Sequence, residues 1–262
     1  MLTLADITFA IARIVNPENI ATGSATAGTT TSITDTANLT QDQAYFDRGT
    51  LWILSGTHAG KVLPITSHNG NKVSFAALGS APSAGDRFAV CRAAYPWQQL
   101  KSAVSIALSD EWAYIEAEDA TLDGDGNTLE FTLPSGVFNL KEVWIENPDD
   151  KSQNYKSAHW KEKNGKLRFD YGYPPEDGWV IRVIYRDQHA ELTTYSDEIN
   201  IGINTEWLKY AAAKALLDWG MGRYGAQAEY RIEERMGMVM ERLKMLHPRS
   251  AGPDILIKTA GG

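Results

Sequence analysis

The stretch NTEWLKYAAAKALLDWGMGRYGAQAEYRIEERMGMVMERLKMLH, residues 204–247, decides how the rest of the chain is read. Asn204 can cap a helix, because its side chain accepts from the open N–H groups of the first turn, and Glu206 adds an early acid. Leu208, Ala212, Ala215, Leu216 and Trp219 then recur at helical spacing on one apolar face. Gly220, Gly222 and Gly225 break the run. A second helical stripe follows, with Ile232, Met236, Val239, Met240, Leu243 and Leu246, while Glu233, Glu234, Arg235, Glu241 and Arg242 fall mostly off it. Pro248 stops it. The product is a helical hairpin whose apolar face needs a cover.

Two further helices are written upstream. Thr3 with Asp6 forms a capping box ahead of Leu4, Ile7, Ile11 and Ile14, and Asn16-Pro17 ends that helix. Tyr95-Pro96 opens the other, carrying Trp97, Leu100, Val104, Ala107, Leu108 and Trp112. Between the helices the pattern changes to short β-like runs. In the first β region these are Thr50–Leu54, Lys61–Thr66, Lys72–Phe75 and Arg87–Cys91, with a further candidate at Thr29–Ile33, separated by turns such as Asn69-Gly70-Asn71. In the second, Leu129, Phe131 and Leu133 alternate, as do Leu167, Phe169 and Tyr171. Trp179, Ile181, Val183 and Tyr185 share one face of a strand whose other face carries Arg182 and Arg186. Lys163-Asn164-Gly165-Lys166 predicts a two-residue hairpin, since Asn-Gly accepts the positive φ of a type I′ turn.

Each helix has one apolar stripe and no helical neighbour in sequence apart from the C-terminal pair. The expected fold is α+β: a four-helix bundle assembled from residues 1–18, 95–113 and 204–248. Two antiparallel β modules are inserted in it, a small barrel over 19–94 and a β-sandwich over 114–203, and an extended arm over 249–262 follows. The competing arrangement lays each helix on its neighbouring β module.

Composition narrows the function classes. With 262 residues, 43% hydrophobic and 22% charged, the chain is an ordinary globular one. A net charge of -8 argues against gripping nucleic acid, which needs clustered Lys and Arg, but does not exclude a surface along which DNA slides. The single Cys91 forbids an internal disulfide and sits in an apolar run. Leu2–Val15 lacks the basic flank and cleavage site of a signal peptide, and no apolar run reaches the length of a membrane span.

No catalytic signature is present. Gly56-Thr57-His58-Ala59-Gly60-Lys61-Val62 is one residue short of a phosphate loop, has Val62 where magnesium needs a hydroxyl, and reads as a turn. Asp119, Thr121, Asp123, Gly124 and Glu130 fall on calcium-loop spacing, but Gly126 stands where that loop needs an apolar anchor; an acidic turn is the expectation. His58, His68, His159, His189 and His247 form no metal-binding pair. Glu116 and Glu118 can share a strand face and read as solvated, with a sugar hydrolase the remote alternative. Trp160, set among Lys161, Glu162 and Lys163, is a candidate for an exposed, ligand-stacking ring. No catalytic, cofactor or metal site is expected. The partner-binding candidates are Ile255, Leu256 and Ile257, a short β-prone segment in the arm. They can fold back on their own chain or add a strand to a partner's sheet.

The start Leu2-Thr3-Leu4-Ala5-Asp6-Ile7, the helix around Trp97–Trp112, the run containing Tyr210-Ala211-Ala212-Ala213-Lys214-Ala215, and the Arg231–Pro248 helix with its tail together resemble head–tail connector (neck adaptor) proteins of tailed bacteriophages. Thr50-Leu51-Trp52-Ile53-Leu54-Ser55-Gly56-Thr57 and Gly85-Asp86-Arg87-Phe88 resemble modules of phage structural proteins. The resemblance implies a non-enzymatic virion protein, assembled in the host cytoplasm and located in the neck. It implies a homo-oligomeric, dodecameric ring docked under the portal protein, with the tail or next neck protein on its other side and DNA passing through without specific binding. The two β insertions are large for a minimal adaptor. A tail or fibre module that binds a receptor or glycan through the second β region is the alternative.

Overall fold

The computed structural model describes residues 2–110, 113–221, 223 and 226–246, and for 226–230 only the backbone. In chain order the helices are α1 (Leu4–Val15), α2 (Trp97–Leu108), α3 (Thr205–Gly220) and α4 (Ala226–Leu246). The strands are β1 (Ile20–Ser24), β2 (Ala27–Thr29), β3 (Ser32–Thr34), β4 (Thr50–Ile53), β5 (Val62–Asn69), β6 (Lys72–Phe75), β7 (Arg87–Cys91), β8 (Tyr114–Asp123), β9 (Glu130–Thr132), β10 (Leu140–Glu146), β11 (Tyr155–Ser157), β12 (Trp160–Lys163), β13 (Lys166–Phe169) and β14 (Val180–Gln188). Two compact units result. One comprises Met1–Ala107, Leu192–Glu198 and Asn204–Gly262; the other comprises Leu108–Glu191 and Ile199–Ile203.

The expected four-helix bundle with inserted β modules is not the fold. The chain is mostly β, and its largest element is a curled seven-stranded antiparallel sheet. Among the described residues α1, α3 and α4 pack together. The stripes that suggested a bundle are real; what covers them is partly strand. A helix of 12 residues is marginal in water until its apolar face is buried, and a sheet face serves as well as another helix.

The sheet runs in the order β1-β7-β4-β5-β6-β3-β2. Its outermost strands, β1 and β2, are separated in sequence only by Ala25 and Thr26, so the sheet has to curl until its two edges meet. Two features allow the curl. A register shift between Ile65 and Ser67 bends β5, which pairs with β4 through Val62–Pro64 and with β6 beyond it. At the closure Asp35 gathers Ser24 N–H (3.1 Å), Ala37 N–H (2.9 Å), Asn38 N–H (3.1 Å) and Asn38 Nδ2 (2.8 Å). The enclosed core contains Ile33, Phe46, Leu51, Ile53, Ile65, Val73, Phe88 and Val90.

β4 is buried on both faces. Leu51 and Ile53 enter the sheet core, while Trp52, opposite small Ala89, projects the other way to α1. There its Nε1 donates to Thr8 Oγ1 (3.3 Å), and its ring lies 5.5 Å from Phe9. Thr8 Oγ1 itself donates to the carbonyls of Leu4 and Ala5 (2.8 and 2.9 Å). The capping box of Thr3 and Asp6 is formed as expected. The next two N–H groups of α1, from Leu4 and Ala5, donate to the carbonyls of Asp197 and Tyr195 (2.8 and 3.0 Å), which ties residues 192–198 to the helix start. Leu4, Ile7 and Ile11 are fully buried, worth about 1.5–3 kcal/mol each against exposure. On α3 the buried set is Trp207, Leu208, Ala212, Ala213, Leu216 and Leu217, under the predicted Asn204 cap, so the buried face lies slightly round from the predicted stripe. On α4 Ile232, Val239 and Leu243 are buried, and Arg231 and Arg235 both reach Glu18 at 3.0 Å.

In the second unit a four-stranded sheet, β11-β10-β14-β8, packs against a three-stranded one, β12-β13-β9. Val143, Ile145, Ile181 and Val183 from one meet Leu167 and Phe169 from the other. The Asn164-Gly165 turn joins β12 to β13 with φ of 53° and 69°, and Lys163 pairs with Lys166, as a type I′ hairpin requires.

Candidate functional site

The partner-binding candidates Ile255, Leu256 and Ile257 lie outside the described residues, as do Trp112 and His247. The other chemical candidates resolve into structural parts. Gly56 and Gly60 both take positive φ, and the segment leads into β5 rather than a helix. A Cβ at Gly56 would stand 2.1 Å from the Asp86 carboxylate, which gives that glycine a packing reason. His58 is buried against Ser80, with Nε2 2.9 Å from the carbonyl and 3.0 Å from Oγ. His68 is also buried, edge-on to Phe46, and neither ring nitrogen has a partner among the described residues. His189 sits between Asn200 N–H, which donates to Nε2 (2.9 Å), and the Ala190 carbonyl, 2.7 Å from Nδ1. Nδ1 therefore carries the proton.

The calcium-like spacing does not converge. Asp119 accepts from Thr121 N–H and Oγ1 (3.0 and 2.7 Å), while Glu130 on β9 pairs with Lys166 and Arg168. Between them Asp125 caps its own turn. The Thr128 hydroxyl, with the N–H groups of Thr128 and Asn127, pulls that carboxyl down to about 2. Glu116 and Glu118 lie on the outer face of β8 and are occupied by Lys141 (2.6 Å) and Arg182 (3.2 Å). Arg182 also reaches Glu146 (2.8 Å), and Lys156 reaches Glu142 (2.5 Å). The outer face of this sheet is thus a lattice of ion pairs. Burial pushes the Cys91 thiol up to about 12, so it is a packing residue and not a nucleophile.

Among the described residues, exposed apolar or aromatic side chains occur close together in sequence at two places. The first is on α4, where Met238, Met240 and Met245 are 49%, 36% and 68% exposed on a helix whose opposite side is buried. Met238 and Met245 are seven residues apart and share a face. The second is the connection from β13 to β14. Trp160, the ring expected to be exposed, is instead partly buried: it packs against the sandwich core and donates Nε1 to the Ser157 carbonyl (3.1 Å). The open rings are instead Tyr171, Tyr173 and Tyr155. Tyr171, expected to continue the strand, lies beyond its end in a turn. The signal that marks it is a pair of tyrosines around Gly172 just before Pro174-Pro175, with no apolar alternation to carry them inward. No helix among the described residues is long and apolar enough to cross a membrane, and none of their His, Cys, Asp and Glu side chains group as a metal site. No protein-family model matches this chain, and no curated protein matches it.

Proposed function

We propose that this protein is a non-enzymatic structural subunit of a tailed-bacteriophage neck, a head–tail adaptor that assembles into a ring beneath the portal protein. The observation that carries the reading is the helical group of α1, α3 and α4, built from distant parts of the chain, with methionines of α4 left in water on its outside. Methionine is flexible and polarizable, and two of them, Met238 and Met245, exposed on one face fit an assembly contact better than a solvated one. Support also comes from the acidic balance, which suits a wall that DNA passes without adhering. In this reading the arm, residues 249–262, carries Ile255–Ile257 to the portal, the tail or next neck protein binds the other side, and the ring is dodecameric.

Mass photometry and electron microscopy of the full chain, alone and with a portal ring, test it. A discrete ring is expected, and Met238→Glu with Met245→Glu should dissolve it while leaving helix content intact. Removal of residues 254–262 should weaken portal attachment without unfolding the chain. A chain that stays monomeric alone and with portal overturns the reading, and so does a ring indifferent to both glutamates.

A further inference from the structure

Residues 42–49 lie along β5 and cover a histidine. The hydrogen bonds that hold them there are Ala44 N–H to the His68 carbonyl (2.9 Å), Arg48 N–H to the Ile65 carbonyl (3.1 Å), Ile65 N–H to the Gly49 carbonyl (2.9 Å) and His68 N–H to Asp47 Oδ1 (2.5 Å). Phe46, 1% exposed, enters the core edge-on to the His68 ring at 5.0 Å. The loop is bent into place against its preferences: Ala44 and Arg48 take φ of 64° and 62°, the left-handed region that side chains with a Cβ avoid. Strain of this kind persists only while the surrounding contacts hold it. Beneath the loop the His68 imidazole is 2% exposed, and both ring nitrogens are buried without a partner among the described residues. A neutral ring leaves one donor and one acceptor unmade there. A protonated ring would bring two N–H donors and a charge into the same place, at far greater desolvation cost. The charged side chains on the surrounding segments are Asp42, Asp47 and Arg48 on the loop, Lys72 on β6 and Asp35 after β3, and none of them bonds a ring nitrogen. Asp47 is engaged with the His68 N–H, and Asp35 with the closure of the sheet.

We propose that His68 is a proton-operated latch: a proton taken up by its imidazole releases residues 42–49 from β5 and lets the charged ring reach water. The closed loop is the form that holds the neutral ring, so it prevails at higher pH and the open form gains as pH falls. Opening relieves the left-handed strain at Ala44 and Arg48 and withdraws Phe46 from the core. The inference is independent of the neck reading, since the loop can open in a monomer or in a ring.

The test is hydrogen–deuterium exchange of the full chain from about pH 8 to about pH 5, the span in which a histidine changes charge, corrected for the intrinsic pH dependence of exchange. Protection of the Ala44, Arg48 and His68 amides should fall by up to about tenfold per pH unit, the limit for one proton, while the Ile53 and Leu54 amides keep theirs. His68→Phe keeps a flat ring against Phe46 but takes no proton, and it should abolish the pH response with the loop closed. His68→Gln, polar and uncharged, should abolish it as well. Asp47→Asn should retain it, which separates the imidazole from the carboxylate. The proposal is overturned if the wild-type loop loses no protection as pH falls, if both His68 variants keep the loss, or if Asp47→Asn alone removes it. It is equally overturned if Ile53 and Leu54 lose protection in step with the loop, which would make His68 a term in global stability and not a latch.

Discussion

The two β regions use similar short strands and glycine turns, yet bury them differently. In the curled sheet β4 is closed off on both faces, because a helix lies across its outside. In the sandwich the outer face of β8, β10 and β14 stays in water and is covered by ion pairs. The difference lies in a few positions. Thr50-Leu51-Trp52-Ile53 offers an apolar side chain in each direction, whereas Glu116, Glu118, Glu142, Glu146, Arg182 and Arg186 put charge at most of the outward positions around Trp144 and Ile184. A sheet face without charge recruits a cover, and one with alternating charge is its own boundary with water.

The strongest way to break this contrast is a pair of tryptophan truncations. Trp52→Ala should cost about 3–5 kcal/mol by denaturant unfolding, because it opens a cavity between sheet and helix. Trp144→Ala, on the outer face of β10, should cost about 1 kcal/mol or less. Equal costs would mean that the outer faces are not different. Next comes the closure of the curled sheet. A Cβ at Gly23 would stand 2.0 Å from Asp35 Oδ2, so Gly23→Ala should cost about 1–3 kcal/mol through overpacking, and hydrogen exchange should rise first in β1 and β3. Thr8→Val keeps the shape of the joint but strands the Trp52 N–H, for a loss of about 1–3 kcal/mol. Replacing Trp52 by Phe in the same chain should recover part of the loss from the unpaired donor.

A pH experiment sharpens the comparison further. Burial alone would raise the Asp35 carboxyl, but hydrogen bonds from the Asn38 side chain and from Ala37, Asn38 and Ser24 N–H outweigh it and hold it below its usual range. The folded state therefore binds this proton less readily than the unfolded one. Its stabilisation is complete above the unfolded carboxylate value and fades as pH falls through the lower folded one. Unfolding followed between neutral and acid pH should show a loss in the curled sheet that Asp35→Asn reduces, while the acid-dependent loss in the sandwich, whose Asp125 carboxyl is also depressed, is unchanged by that substitution. The smallest effect belongs to the exposed lattice. Lys156→Ala should cost about 0.2–1 kcal/mol, less at high salt, because a solvated ion pair is screened.

Local chemistry was legible wherever a residue acts on its neighbours. The Thr3–Asp6 box, the Asn204 cap and the Asn164-Gly165 turn depend on atoms within three or four residues, and each forms as read. The candidate surfaces were less legible. Trp160 was favoured because charged residues surround it in sequence, but its partners, Ser157 and the sandwich core, lie on other strands. Tyr171 was read inward because it continues an alternation, and the strand ends at Phe169.

Sequence alone determined where the helices lie, where β4 to β7, β13 and β14 run, and which helical faces are apolar, since backbone propensity, capping and periodicity are properties of adjacent residues; β1, β10 and β11 were not read from it, and Thr29–Ile33 is a turn between two strands. It did not determine what those faces meet. Only the tertiary structure decided that α1 is joined to Trp52, 44 positions on from Thr8, and that β1 and β2 close a curled sheet through Asp35. The physical reason is that hydrophobic burial is non-directional: an apolar stripe is equally satisfied by a helix or by the uncharged back of a sheet, and the choice rests on which surfaces elsewhere in the chain lack a cover of their own.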